Sequence, residues 1–312
     1  MRRRAFLFVA AGAAVISCNG TTGDELVTFS AYAAGAQGAG EPFVVYGESP
    51  PAGASEPPAN ERFMVQLTSA QMYVGAVYVN EAPAGSGGTF NTPACIDPGV
   101  YCAQVPGGVE VNLLSTKPQP FSVQGSGSAD LGLSWDIYLA YGDVNDAQLD
   151  NAFGVPNIAD LAGTATRESD GAVFAWAATV NINSGVSASE PGARGEPVVQ
   201  PGQPGQDPIC QARILHLGGI SLTLFQGASM LLTIDPRGFF LAPLDFATLP
   251  SVASPQCTLD TNNLYPDSAQ YCIPDSSWLA GSDLGAQQGV TLYEGIFTGG
   301  NAAYALSYPT SP

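Results

Sequence analysis

One histidine, His216, and one lysine, Lys117, occur among the 312 residues of this chain. Most hydrolytic and redox mechanisms use a base that titrates near neutrality, usually histidine, so there is little here from which to assemble a catalytic site. Schiff-base chemistry would rest on Lys117, which stands between Thr116 and Pro118 in an evident turn. His216 occurs in Arg213-Ile214-Leu215-His216-Leu217 and shares a face with Ile214, the place of a partly buried strand residue. No Gly-x-Ser-x-Gly elbow, His-Glu-x-x-His helix or Gly-x-x-x-x-Gly-Lys loop occurs. The expectation is that the chain is not an enzyme. Charge is sparse too, at 12% of residues, and lopsided, with nine basic against 27 acidic side chains. Such a surface repels phosphate backbones, which excludes nucleic acid, and repels anionic lipid head groups as well. Solubility, or carboxylates open to divalent cations, are the readings left for the excess acid.

Helical periodicity is missing over any long segment; only Val155 to Leu161 and Asp283 to Gln288 suggest short helical turns. What the chain has instead is alternation, the period of a half-buried strand. Leu26 to Tyr32 reads as a first strand, and Phe63, Val65 and Leu67 alternate with Met64, Gln66 and Thr68. Gln71 to Asn80 is apolar on both faces, the pattern of a central strand covered on each side. Val109 to Leu113, Leu131 to Tyr141 and Phe174 to Ile182 alternate again. Further runs follow at Arg213 to Leu217, Ile220 to Phe225, Met230 to Ile234, Thr291 to Phe297 and Ala302 to Tyr308. The 37 glycines and 25 prolines fit short strands joined by turns.

The prediction is an all-β chain, a single and mainly antiparallel β-sandwich over 26–312 with long Pro/Gly-rich loops. Ala33 to Asn60 reads as loose surface chain broken by a strand-like run, Pro42 to Tyr46. Glu190 to Pro208 reads as a Pro/Gly-rich loop inserted in the sandwich rather than a domain linker, since the strand patterns on its two sides look alike. Asp235-Pro236-Arg237-Gly238 reads as a structural turn in which Arg237 pairs with Asp235 or another local carboxylate.

The first residues have a different character. Arg2-Arg3-Arg4 precede an apolar run from Ala5 to Ile16, about a dozen residues, which is an export signal too short to span a membrane stably. Arg3-Arg4-Ala5-Phe6-Leu7 also partly matches a twin-arginine signal, though an ordinary basic start is the preferred reading. Val15-Ile16-Ser17-Cys18 resembles the lipobox of bacterial lipoproteins. That resemblance implies removal of residues 1–17, lipidation of Cys18, and a short tether over 18–25. Losing three arginines would take the formal charge from −18 to −21. Asn19 rather than Asp after the lipidated cysteine implies the outer membrane, with the domain facing the periplasm or the cell surface.

Export admits disulfides, and Cys95, Cys102, Cys210, Cys257 and Cys272 leave one thiol over. Cys257 and Cys272 bracket a polar, turn-rich loop and form the best candidate bridge. Cys95 could close a small loop with Cys102 through Asp97-Pro98-Gly99, or pair with Cys210 and staple the Pro/Gly-rich insertion. A thiolate metal site at Cys95, Cys102 and Cys210 is the alternative, but no Cys-x-x-Cys pair occurs.

No resident cofactor is expected, with calcium as a weak possibility. Asp143, Asn145, Asp146 and Asp150 fall in one loop, and Asp260, Asn262, Asn263 and Asp267 in the loop between Cys257 and Cys272. Asp and Asn oxygens are the hard ligands calcium takes, but neither loop has EF-hand spacing and both residue types are ordinary in turns. Trp135 and Trp176 fall on apolar strand faces and read as core; Trp278 and Tyr265 lie in loops, where a glycan could stack on them.

Several segments together resemble a group of lipoproteins from high-GC Gram-negative bacteria. They are Val27-Thr28-Phe29, Phe63 to Ala70, Val74-Gly75-Ala76-Val77-Tyr78, Val111 to Ser115 and Pro118 to Phe121, then Pro208-Ile209-Cys210 and Ile234 to Arg237. The resemblance implies a lipid-anchored envelope protein and brings no activity with it. In layout the early strands are also similar to the periplasmic copper-associated partner proteins of methanobactin clusters, from which no site residue carries over. The leading expectation is a non-enzymatic structural or interaction lipoprotein, held to the membrane by its lipid, with an envelope protein or glycan as partner. A calcium-dependent or glycan-binding adhesion module is second, and periplasmic copper handling third.

Overall fold

The computed structural model describes residues 26–80, 101–128, 131–138, 157–181, 214–241, 243–255, 257, 269–273, 292, 295–296 and 300–308. These residues are all-β in character, as the alternation predicts: a curled, half-barrel sheet with a second sheet packed against it. In chain order the first strands are β1 (Leu26–Gly35), β2 (Phe43–Tyr46), β3 (Arg62–Val74), β4 (Ala76–Asn80) and β5 (Tyr101–Val105). Then come β6 (Val109–Asn112), β7 (Gln119–Pro120), β8 (Gly125–Ser128), β9 (Leu131–Tyr138) and β10 (Asn157–Arg167). The last are β11 (Val173–Asn181), β12 (Ile214–Thr223), β13 (Ser229–Ile234), β14 (Tyr271–Ile273) and β15 (Tyr304–Ser307).

The curled sheet has nine strands in the order β12-β9-β4-β5-β8-β1-β13-β15, with β7 joined to β1. The other has six, in the order β14-β11-β10-β3-β2, with β6 joined to β3. Among the described strands two pairings run parallel, β1 with β13 and β11 with β14. The others are antiparallel, so the predicted mainly antiparallel sandwich is the observed one.

Alternation places the core. Phe63, Val65 and Leu67 of β3 are buried while Met64, Gln66 and Thr68 are exposed. Val27 and Phe29 of β1 and Met230, Leu232 and Ile234 of β13 meet them from the curled sheet in one apolar cluster. Each such side chain contributes about 1.5–3 kcal/mol when fully buried, so the sheets are held face to face chiefly by these rows. Trp135 and Trp176 are fully buried, as read from their strand faces. An aromatic cluster closes one end, with Trp176 against Phe240 and Phe246 (5.8 and 5.6 Å between ring centres) and Phe63 against Phe246.

Five local expectations change. Gln71 to Asn80 is covered on both faces as predicted, but it is not one strand: Gln71–Val74 ends β3 in the six-stranded sheet, and after Gly75 the chain enters the curled sheet as β4. Val155 to Leu161 suggested a helical turn, yet Asn157–Arg167 is β10, a central strand between β3 and β11. Ile158 through Ala162 are buried in succession, so their apolar spacing reflects burial on both faces rather than a helix. A register shift at Ala162/Gly163 falls where a Cβ on Gly163 would overlap the Gln66 carbonyl, so the bulge depends on glycine.

The runs Arg213 to Leu217 and Ile220 to Phe225 merge into β12, whose register with β9 jumps between Gly218 and Leu222. Thr291 to Phe297 reads as a strand, but Leu292, Gly295 and Ile296 are helical. Leu292 and Ile296, four apart, are both buried, which one helical face achieves as well as a strand does. Gly295 lies against the Phe239 backbone, and a Cβ there would overlap its carbonyl. A helical turn, Gly300–Ala303, then leads into β15, which is shorter than the Ala302 to Tyr308 run. Asp283 to Gln288 and the 190–208 loop lie outside the described residues.

Candidate functional site

Two rows of polar residues cross the sheets on the faces away from the core. In an antiparallel ladder, directly opposed residues stand on the same face, so register alone assembles such rows. On the six-stranded sheet, Asn112 of β6 is opposite Gln71 of β3, Gln71 opposite Asp160 of β10, and Asp160 opposite Thr179 of β11. Asp160 and Thr179 are buried, and the Thr179 hydroxyl donates to Asp160 Oδ1 at 2.9 Å. Gln71 Oε1 is buried as well and accepts no hydrogen bond from the described residues. A carboxylate in such a setting is held by its donors, because its desolvation would otherwise be costly.

On the curled sheet the row is longer. His216 of β12 is opposite Asp136 of β9, Asp136 opposite Tyr78 of β4, and Tyr78 opposite Gln104 of β5. It continues through Ser126 of β8 to Thr28 of β1. Tyr78 is buried, Gln104 exposed, and Ser126 and Thr28 half-buried. The Thr28 end is closed by Gln226, whose Nε2 donates to Thr28 Oγ1 and whose Oε1 accepts from the Thr28 backbone N–H, both at 2.8 Å.

A third row is apolar. Val44 is opposite Met64, Met64 opposite Thr166, and Thr166 opposite Val173, across β2, β3, β10 and β11. Val44, Met64 and Val173 are 51%, 46% and 63% exposed, against complete burial of their core-facing neighbours Phe63 and Val65. This part of the six-stranded sheet therefore offers apolar side chains to solvent.

The described arginines are committed to local carboxylates. Arg62 meets Glu56 at 2.5 Å and Glu168 at 2.8 Å, and Arg167 meets Asp170 at 2.6 Å. Arg237 meets Asp235 at 2.6 Å, the pairing read from the sequence, and the Asp235 carboxylate also caps the short 3-10 turn Pro236–Phe239. The Asp170 carboxyl is held down to about 2 by hydrogen bonds from the Arg167 side chain and the Ala172 N–H. Glu61 is pushed up by partial burial and by its neighbours Asp245 and Glu48, against the opposing pull of Arg167. Tyr304, fully buried against Phe239, is pushed well up by desolvation.

Cys257 and Cys272 form a disulfide with Cα atoms 5.9 Å apart, the bridge chosen from the sequence. It ties β14, and through it the edge of the six-stranded sheet, to the chain that follows the 3-10 turn. Of Cys102, only its position on β5 is described. Cys18, Cys95 and Cys210 lie outside the described residues. So do the calcium candidates Asp143, Asn145, Asp146, Asp150, Asp260, Asn262, Asn263 and Asp267, and the stacking candidates Tyr265 and Trp278. Among the described residues no group of three His, Cys, Asp or Glu side chains is placed to hold a metal ion. Lys117 is exposed in its turn, where its N–H donates to Ser115 Oγ.

Periodicity could not have found the rows. Asp160 sits in a stretch read as a helical turn, and the opposition of Asp136 to His216 joins residues 80 positions apart. Comparison with protein-family models, with curated proteins and with solved structures gave no match.

Proposed function

We propose that this chain is a lipid-anchored envelope protein, exported by its N-terminal signal, tethered in the outer membrane through Cys18, and non-enzymatic, with a structural or interaction role. The observation that carries the reading is the Cys257–Cys272 disulfide, which belongs to an oxidising compartment and is independent of the signal and lipobox pattern. The scarcity of catalytic side chains and the resemblance to envelope lipoproteins agree with it. A lipid also reconciles a strongly acidic domain with an anionic membrane, since the acyl chains rather than the protein surface supply the attraction. For the interaction role, the row of Val44, Met64 and Val173 supplies an exposed apolar surface.

Expression in a Gram-negative host with labelled palmitate tests the anchor. The wild-type chain is expected to carry label and fractionate with the outer membrane, while Cys18→Ser is unlabelled and released with the soluble periplasm. An unlabelled wild-type chain, or a labelled Cys18→Ser variant, would overturn the anchor. A photo-crosslinking residue at Val173 tests the interaction role in intact cells. It is expected to give a discrete adduct that the same probe at Lys117 does not; no adduct at Val173, Met64 or Val44 would overturn that surface.

A further inference from the structure

The apolar row of the six-stranded sheet has a charged neighbour. Val44, Met64, Thr166 and Val173 stand opposite one another across four strands, three inter-strand steps that span about 14 Å. Two residues further along the same strands, on the same face and about 7 Å away, Tyr46 is opposite Arg62. The Arg62 side chain meets both Glu56 and Glu168. One guanidinium between two carboxylates leaves a negative charge over, and solvent meets the acids first. The Glu56 and Glu168 side chains are 53% and 54% exposed, that of Arg62 24%. Val173 follows the hairpin turn that carries Glu168, where Asp170 is matched by Arg167. An apolar strip thus runs beside an acidic edge, the apolar centre and polar rim that interfaces use.

We propose that this face seats a segment of a partner protein whose apolar side chains cover Val44, Met64 and Val173 and whose lysine or arginine side chains meet Glu56 and Glu168. The occupant rests on the reading of this row as an interaction surface and specifies its chemistry. A second copy of this chain does not fit. Two bodies of formal charge −18 repel, and Arg62, Arg167 and Arg237 are already held by their own carboxylates. An anionic membrane is repelled for the same reason. A basic segment is instead drawn in by the field of the whole chain and set in register by the two carboxylates at the edge. Burial of the three exposed apolar side chains then holds it. Sharing Glu56 and Glu168 with Arg62 costs little, because exposed ion pairs contribute little.

The test uses the full chain in cell envelopes with a photo-crosslinking residue at Val173. Three fluorescent probe peptides of equal length alternate leucine with lysine, leucine with glutamate, or serine with lysine. The leucine–lysine peptide is expected to label the chain at least about fivefold more than either of the others, and to lose label between about 0.05 and 0.5 M salt. Glu56→Gln with Glu168→Gln should cut that label about fivefold. Glu110→Gln lies opposite Tyr73, about 30 Å along β3 from Met64, and should change it less than about twofold. Equal labelling by the leucine–glutamate or the serine–lysine peptide would overturn the proposal, as would adducts joining two copies of the chain without peptide. Both the peptide and the salt comparison need only the unaltered carboxylates, so an unfolded double variant leaves them intact. A row that captures nothing in intact cells, by contrast, removes the interaction surface itself.

Discussion

The two polar rows are built by the same device, but one leads to a buried pair and the other begins at an exposed one. On the six-stranded sheet the row runs inward to Asp160 and Thr179, both buried and hydrogen-bonded to each other. On the curled sheet the row runs from a solvent-facing end, Thr28 with Gln226, out to the last strand in the described order, where position 216 is opposite position 136 in the ladder. A buried polar pair is expensive to leave half-made, whereas an exposed one is replaced by water at little cost. The buried pair of the first row should therefore matter more to stability than the Thr28 end of the second.

The largest effect bears on what borders the buried row. β14 pairs with β11, the strand that carries Thr179, and the disulfide holds β14 in place. Replacing Cys257 and Cys272 together by serine frees a loop spanning 15 residues, which should cost about 3 kcal/mol in urea unfolding. An unchanged midpoint would mean that β14 is held without the bridge.

Within the row, Thr179→Val keeps the shape and removes one donor to Asp160. We expect a loss of about 2 kcal/mol, the scale of a buried hydrogen bond to a charged group. The matching change on the other row, Ser126→Ala, should stay within about 0.5 kcal/mol. Equal losses at the two positions would erase the contrast between the rows.

The smallest effect concerns Asp170, at the surface beyond both rows. Its folded-state pKa lies below the unfolded value, so its contribution is present above about pH 4 and lost as pH falls through about 2. Carboxyl NMR should place its titration near 2, and Arg167→Gln should return it towards the ordinary range. A normal Asp170 titration with Arg167 intact would show the pairing to be absent in solution.

Much of the sandwich was legible because alternation is a local signal. β1, β2, β9, β11 and β13 fall within runs that alternate in the sequence or share most of their length with them, and Trp135 and Trp176 are buried where their strand faces predict. Legibility failed where both faces are covered or side chains are small. β10 hides behind Ile158 to Ala162, and β8 is Gly-Ser-Gly-Ser, with nothing apolar to alternate. Thr291 to Phe297 failed for another reason, since Leu292 and Ile296 satisfy a strand and a helix equally.

Residue content and short-range spacing set the chemical limits of this protein: one imidazole, an acidic surface, strands rather than helices, and a bridge across a 15-residue loop. Tertiary structure decided the rest. The passage from one sheet to the other at Gly75, the burial of Asp160 beside Thr179, and the opposition of Asp136 to His216 all depend on which strand lies beside which, and in what register. A strand's own residues choose the face each side chain takes, because successive side chains point to opposite sides. Its neighbours are chosen by long-range packing of the whole core, and only that choice lines up polar residues far apart in the chain.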